Sequence, residues 1–217
     1  MTPLVSFAIT THNEGQYIQT LLDQLIPYCK RTGDEIVILD DYSDDEKTKE
    51  ILIAALASAG TVDSGWSMRL AYRHLGGDFA AQKNHLNKMC RGKYIFQVDA
   101  DETLSPTLLE NLHEILESND VDMYAVPRIN IVNGLTEEDI QKWNWRVNEK
   151  GYVQFPDYQT RLYRSHPNIR WVGKVHEQIT GFKTFSPLPA EEEWSLYHIK
   201  DIMRQREQNA YYDTITR

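Results

Sequence analysis

Two carboxylates two residues apart, Asp99 and Asp101, directly follow the apolar run at residues 93–98. Acidic side chains leaving a buried strand are costly unless they face water, cations or hydrogen-bond donors. A hard divalent cation such as Mg²⁺ or Mn²⁺ takes one or two protein carboxylates and completes its shell with phosphate oxygens. The pair therefore points to a metal-assisted grip on a nucleoside diphosphate. Three further polar segments follow apolar runs: Thr10, Thr11, His12, Asn13 and Glu14; Asp40, Asp41, Tyr42 and Ser43; and Gly76, Gly77 and Asp78. Each alone reads as a cap or turn, which favour Asp, Asn, Ser and Gly in any protein. Four of them on one edge would make a site.

They share an edge only if the preceding runs are parallel strands, because ligands of open parallel sheets bind beyond the carboxyl ends of the strands. The pattern supports this. Residues 4–9, 35–39, 69–73, 93–98 and 121–126 read as strands, and amphipathic helices separate them. Asn13 is expected to cap a helix whose face is Ile18, Leu21, Leu22, Leu25 and Ile26, ending at Gly33. Ser43 and Glu46 form a capping box for a second helix that stops near Gly60. Ala81, His85, Leu86 and Met89 mark a third helix, and Ser105-Pro106 opens a fourth. Strand–helix alternation of this length predicts right-handed βαβ units and a sheet covered on both faces. After residue 127 the rhythm changes to short strands at 161–163, 175–179 and 194–198, with a final helix from about Lys200. The expected architecture is one domain over residues 1–217, with a nucleotide-binding half at 1–126 and an acceptor-shaping half at 127–217.

Composition excludes several classes. A net charge of −9 disfavours nonspecific nucleic-acid binding and anionic membrane surfaces, both of which need cations on the protein. No stretch approaches the ~20 apolar residues of a membrane span, and residues 1–10 read as a strand rather than a signal peptide. Cys29 and Cys90 both fall in helical patterns and read as buried free thiols, which predicts a reducing, cytoplasmic location.

In this order, residues 10–14, residues 39–45 (Leu-Asp-Asp-Tyr-Ser-Asp-Asp), residues 81–84 (Ala-Gln-Lys-Asn) and residues 98–102 (Val-Asp-Ala-Asp-Glu) resemble the family 2 glycosyltransferases of the GT-A fold. The resemblance covers roughly residues 3–126. Residues 171–177 (Trp-Val-Gly-Lys-Val-His-Glu) are similar to the branch that includes bacterial lipopolysaccharide-core glucosyltransferases. The implied fold is α/β, a Rossmann-like, mostly parallel sheet flanked by helices. The implied activity is inverting transfer of a sugar from a nucleotide-diphosphate donor, UDP- or dTDP-linked, to a hydroxyl acceptor.

By the same resemblance, residues 10–14 hold the donor, with Thr11 and Asp41 on its base and ribose. Asp99 contacts the ribose or a metal-bound water, Ala100 belongs to the donor-binding set, Asp101 ligates Mn²⁺ or Mg²⁺, and His198 is a further metal or diphosphate contact. Lys83 stands where the family usually has arginine, and Tyr42 replaces a usual glycine. Lys200, Arg161 and Arg164 are candidates for the leaving phosphates, since cations stabilise charge developing there. Glu177 is the expected general base, with His176 beside it; a carboxylate in a partly dry cleft is the usual proton acceptor. Trp171 is the candidate acceptor platform, while Trp143, Trp145 and Trp194 are assigned to the core.

Two other readings compete. A nucleotidyltransferase would normally carry a glycine-rich phosphate loop after the first strand, and residues 10–14 contain no glycine. A catalytically silent sugar- or nucleotide-binding module would be marked by loss of Asp101 or of an acidic residue near position 177, and both are present.

Overall fold

The computed structural model describes residues 2–59 and 65–215. Strands β1 (Val5–Thr11), β2 (Glu35–Asp40), β3 (Ser67–Tyr72) and β4 (Tyr94–Asp99) lie parallel in the order β3-β2-β1-β4. Every residue of β2 is buried, as the unbroken apolar runs require of strands covered on both faces. Helices α1 (Ile18–Thr32), α2 (Glu46–Ser58) and α4 (Pro106–Ser118) place Leu22, Leu52 and Leu112 in one core with Phe7, Ile36 and Phe96. Helix α3 (Phe79–Met89) covers the other face, where Leu86 meets Ala8, Val37 and Ile95.

Beyond β4 the sheet becomes mixed. It continues through β7 (Val153–Arg164), β6 (Met123–Asn133), β11 (Leu196–Asp201) and the short β5 (Glu102–Leu104). Strand β7 runs antiparallel to β4 and β6, and β11 is parallel to β6 but antiparallel to β5. A short β10 (Phe185–Pro187) pairs with the start of β6, on the edge that β11 uses further along. Strands β8 (Arg170–Val172) and β9 (Gln178–Thr180) form a separate antiparallel pair over α3. Helices α5 (Glu137–Trp143) and α6 (Ile202–Ile215) complete the fold.

The structure corrects several boundaries. Asn13 does not cap α1; the cap position is Tyr17, without a side-chain bond, while Gly33 ends the helix at φ 81° as expected. Helix α2 is capped by Asp45, which accepts from the Thr48 amide, and not by Ser43. Its expected stop near Gly60 lies outside the described residues. Of the strand expected at 175–179 only residues 178–179 are in a strand, β9; residues 173–177 turn between β8 and β9 through left-handed Gly173 (φ 90°) and His176 (φ 55°). The strand expected at 121–126 begins at Met123 and runs on to Asn133, and the final helix starts at Ile202, which leaves Lys200 on β11. Cys29 and Cys90 are both free, and burial pushes the Cys90 thiol up to about 12. Among the described residues no helix is long and apolar enough to cross a membrane.

Candidate active site

The carboxyl ends of β1, β2 and β4 open into a cavity of 540 Å³, closed on its far sides by β7, the 173–177 turn, β11 and α6. The backbone docks the strand ends to one another, with the Asp41 amide donating to the Thr11 carbonyl at 2.9 Å. Of the two second-strand carboxylates, only Asp41 faces the cavity. Asp40 is buried and accepts from the Ser43 hydroxyl and amide, which shapes the loop. Asp41 accepts from the Leu75 amide at 2.9 Å, and its own carbonyl lies 2.8 Å from His12 Nδ1. Tyr42, at the position where the resembling family has glycine, adopts φ 47°, a conformation that glycine enters without cost. Its ring stacks on His74 at 4.1 Å.

Asp99 and Asp101 stand on opposite sides of a turn that Glu102 closes by accepting from the Asp99 amide at 3.0 Å. Arg161 on β7 donates to Asp99 at 2.5 Å. Burial pushes the Asp99 carboxyl upward, but the Arg161 charge and hydrogen bond outweigh it and hold the group far below the usual carboxylate range. The side chain is enclosed by protein yet keeps a third of its surface open to the cavity. Asp101 is likewise raised by burial but brought to about 2 by its bond to His198 and by the charges of His198 and Arg204. His198 Nε2 lies 3.1 Å from Asp101 Oδ2, and its Nδ1 lies 3.0 Å from Asn130 Oδ1. Because Asn130 Nδ2 already donates to Asp157, its Oδ1 accepts from His198 Nδ1, while Nε2 donates to Asp101. Lys200 is also buried on β11, which draws its ammonium down to about 8, and it donates to Gln208.

The same cavity is also lined by Glu177, Lys83 and Trp171. The Phe79 amide at the start of α3 donates to the Lys174 carbonyl, and Asn84 holds the Trp171 backbone through two hydrogen bonds. The Trp171 indole donates to the Tyr163 hydroxyl at 2.9 Å. Lys83 Nζ rests 4.4 Å from the centre of that indole and donates to Glu177 Oε1 at 2.5 Å. Trp171 is only 4% exposed, so little of its ring is open to a ligand.

Thr10, Thr11, His12, Glu14, Asp41, Lys83, Asp99, Ala100, Asp101, Trp171, His176, Glu177, His198, Lys200 and Arg161 all line this one cavity. Asn13 does not. Its side chain donates to Asp44 and accepts from the Asp44 and Asp45 amides, clamping the first loop to the second. Arg164 also lies elsewhere, paired with Asp120 and Asp122. Sequence reasoning missed Arg128 and Arg204. Arg128 bridges Glu102 and Asp157 beneath the cavity. Arg204 reaches from α6 to Glu14 and Asp101 and lies over the Tyr17 ring. An arginine in a polar helix gives no local signal of such partners.

Comparison with known proteins bears on this geometry. The profile described as Glycosyl transferase family 2 matches residues 6–187. The lipopolysaccharide core biosynthesis glycosyltransferase LpsC of Rhizobium meliloti is 31% identical over 196 residues, covering 88% of this chain and 66% of that protein. The glycosyltransferase SunS of Bacillus subtilis is 22% identical over 91% of this chain and 40% of its own length. This chain thus spans between two fifths and two thirds of these relatives. Among solved structures, S. aureus TarS 1-349 superposes with TM-score 0.60 at 17% identity, over 90% of this chain and 60% of that one. Its complex with UDP-GlcNAc gives the same score over 90% and 58%. The fold is the GT-A fold of those glycosyltransferases. With the family profile matching most of its length and these motifs in one cavity, the chain belongs to glycosyl transferase family 2.

Proposed function

We propose that this chain transfers a sugar from a nucleotide-diphosphate donor to a hydroxyl acceptor with inversion at the anomeric carbon. The observation that carries the reading is a single cavity lined by Thr11, Asp41, Asp99 and Asp101 at the strand ends and by Glu177 from the turn between β8 and β9. Thr11 supplies a buried hydroxyl without a partner among the described residues, as a ligand-binding group would. The donor is UDP- or dTDP-linked, a reading supported by the UDP-GlcNAc complex of TarS. In the reaction, Glu177 takes the proton of the acceptor hydroxyl while that oxygen attacks the anomeric carbon. The bond to the diphosphate breaks on the opposite face, its electron pair staying on the departing phosphate oxygen, near Lys200 and Arg204.

The donor set suits a divalent cation. Among the described residues no three His, Cys, Asp or Glu side chains are grouped to cage an ion alone. Asp101 and His198 offer one carboxylate and one imidazole side by side, and Asn130 orients the ring by accepting from Nδ1, so that Nε2 would ligate once an ion displaced the proton it shares with Asp101. Mn²⁺ or Mg²⁺ held by those two residues would draw its remaining ligands from the diphosphate and water. Such an ion would neutralise charge on the leaving group. Measuring turnover of UDP-, dTDP- and GDP-sugars with Mn²⁺ tests the reading. Failure of every nucleotide sugar to bind or turn over would sink it, and nucleotide binding without transfer would favour the silent module.

A further inference from the structure

Lys83 and Glu177 meet at 2.5 Å, with 9% and 14% of their side chains exposed. This pair constrains a general base. One oxygen of Glu177 already accepts from an ammonium, which holds the carboxylate toward Lys83 and leaves its second oxygen for the acceptor proton. The same ammonium borders the donor wall. It lines the cavity with Asp99 and Asp101, and its positive charge reaches Asp99. It also lies on the face of Trp171, which cannot yield, because the indole is tied to Tyr163 and the backbone to Asn84. A lysine is a point charge on a flexible stem, able to turn from one anion to another. An arginine, the residue usual here in the resembling family, would hold a carboxylate through a fixed fork.

We propose that Lys83 is a positioning residue shared between Glu177 and the donor. Without donor it holds Glu177 in place. When a nucleoside diphosphate enters, its negative charge draws the ammonium along the Trp171 face, and Glu177 is released toward the acceptor. The base is thereby freed only in the donor-loaded protein. This rests on the nucleotide reading above.

Sharing has a consequence that a fixed ion pair lacks, because Glu177 and the nucleotide then compete for one cation. Removing the Glu177 charge should tighten nucleotide binding. The test is calorimetric titration of UDP in the presence of Mn²⁺ against the parent, Glu177→Gln, Lys83→Met and the double variant. We expect Glu177→Gln to bind UDP roughly three- to tenfold more tightly and Lys83→Met to bind it more weakly. In the double variant the gain should vanish, the non-additivity expected when two residues act on one group. Glu177→Asp, which shortens the side chain by one methylene, gives a smaller gain in the same direction and serves if the glutamine variant does not fold. Unchanged or weaker UDP affinity in Glu177→Gln, or an equal gain with Lys83 absent, overturns the sharing while leaving the nucleotide site intact. No UDP binding by the parent overturns the nucleotide reading and this inference together.

Discussion

Arg161 on β7 and Asp99 at the end of β4 sit 2.5 Å apart, with buried Glu102 3.5 Å behind the same guanidinium. Arg161 therefore faces both acids at the join between the parallel and antiparallel parts of the sheet, and shares Glu102 with Arg128. Removing one partner of a buried pair leaves charge uncompensated, at a cost of about 3–5 kcal/mol when burial is complete. Asp99 is partly open to the cavity, so for Arg161→Met we expect about 1–3 kcal/mol after solvent screening. Arg161→Lys should recover part of it. Urea denaturation of the three proteins measures this, and an unchanged midpoint in the methionine variant would refute it.

Chelation should remove transfer activity, and Mn²⁺ or Mg²⁺ should restore it, if Asp101 and His198 hold the ion. Asp101→Ala should lose the metal-dependent part of nucleotide affinity as well as turnover. Full activity in excess EDTA would count against the metal.

For Asp41→Asn the expected change is a UDP or dTDP dissociation constant at least tenfold weaker, or about 1.4 kcal/mol. The amide oxygen can still accept from Leu75, so the loop should persist while the carboxylate contact to the base is lost. Calorimetry giving parental affinity would reassign Asp41 to loop geometry alone.

Glu177→Gln should retain bound nucleotide and lose rate by roughly 10² to 10⁴, the contribution of a positioned general base. The product anomer, read by NMR, should be inverted relative to the donor. Retention of configuration would exclude single displacement. Parental turnover in the glutamine variant would move the base elsewhere, and Asp157 is a poor substitute because Arg128 and Asn130 already occupy it.

Asp157 also makes a pH prediction. Burial raises its carboxyl, but Arg128 and its hydrogen-bond donors lower it below the ordinary value. A carboxylate lowered by folding adds stability that is fully present above its unfolded value of about 4 and is lost as the pH falls through its folded value. The thermal-midpoint gap between the parent and Asp157→Asn should therefore be widest near neutrality and narrow below about pH 4. A gap that stays constant down to pH 2 would contradict this.

The strand-end half of the site was legible because strands buried on both faces announce themselves as apolar runs, and the polar residues after them share an edge by topology. The C-terminal part was harder for physical reasons. Residues 175–179 carry a strand-like pattern, yet left-handed Gly173 and His176 turn the chain and leave only residues 178–180 as a strand. Strand β5 has three residues and α5 has seven, too few for a period to emerge. Arg204 acquires its role from Glu14 and Asp101, 190 and 103 residues earlier. Asn13 was misplaced because a capping residue and a loop clamp look identical in sequence; only the distance to Asp44 separates them.

The pairing of β5 with β11 also dictates when the molecule can work as it leaves the ribosome. β11 pairs with both β5 and β6, and it also carries His198 and Lys200. It is synthesised roughly ninety residues after β5, which at ~5–20 residues per second is several seconds of translation. Through that interval the nascent nucleotide half can assemble β1, β2 and β4 but lacks one wall of its cavity, and β5 keeps an unpaired edge. The chain is thus without its late histidine and lysine until β11 has emerged, and a ribosome stalled before that point would display strand ends that lack this wall.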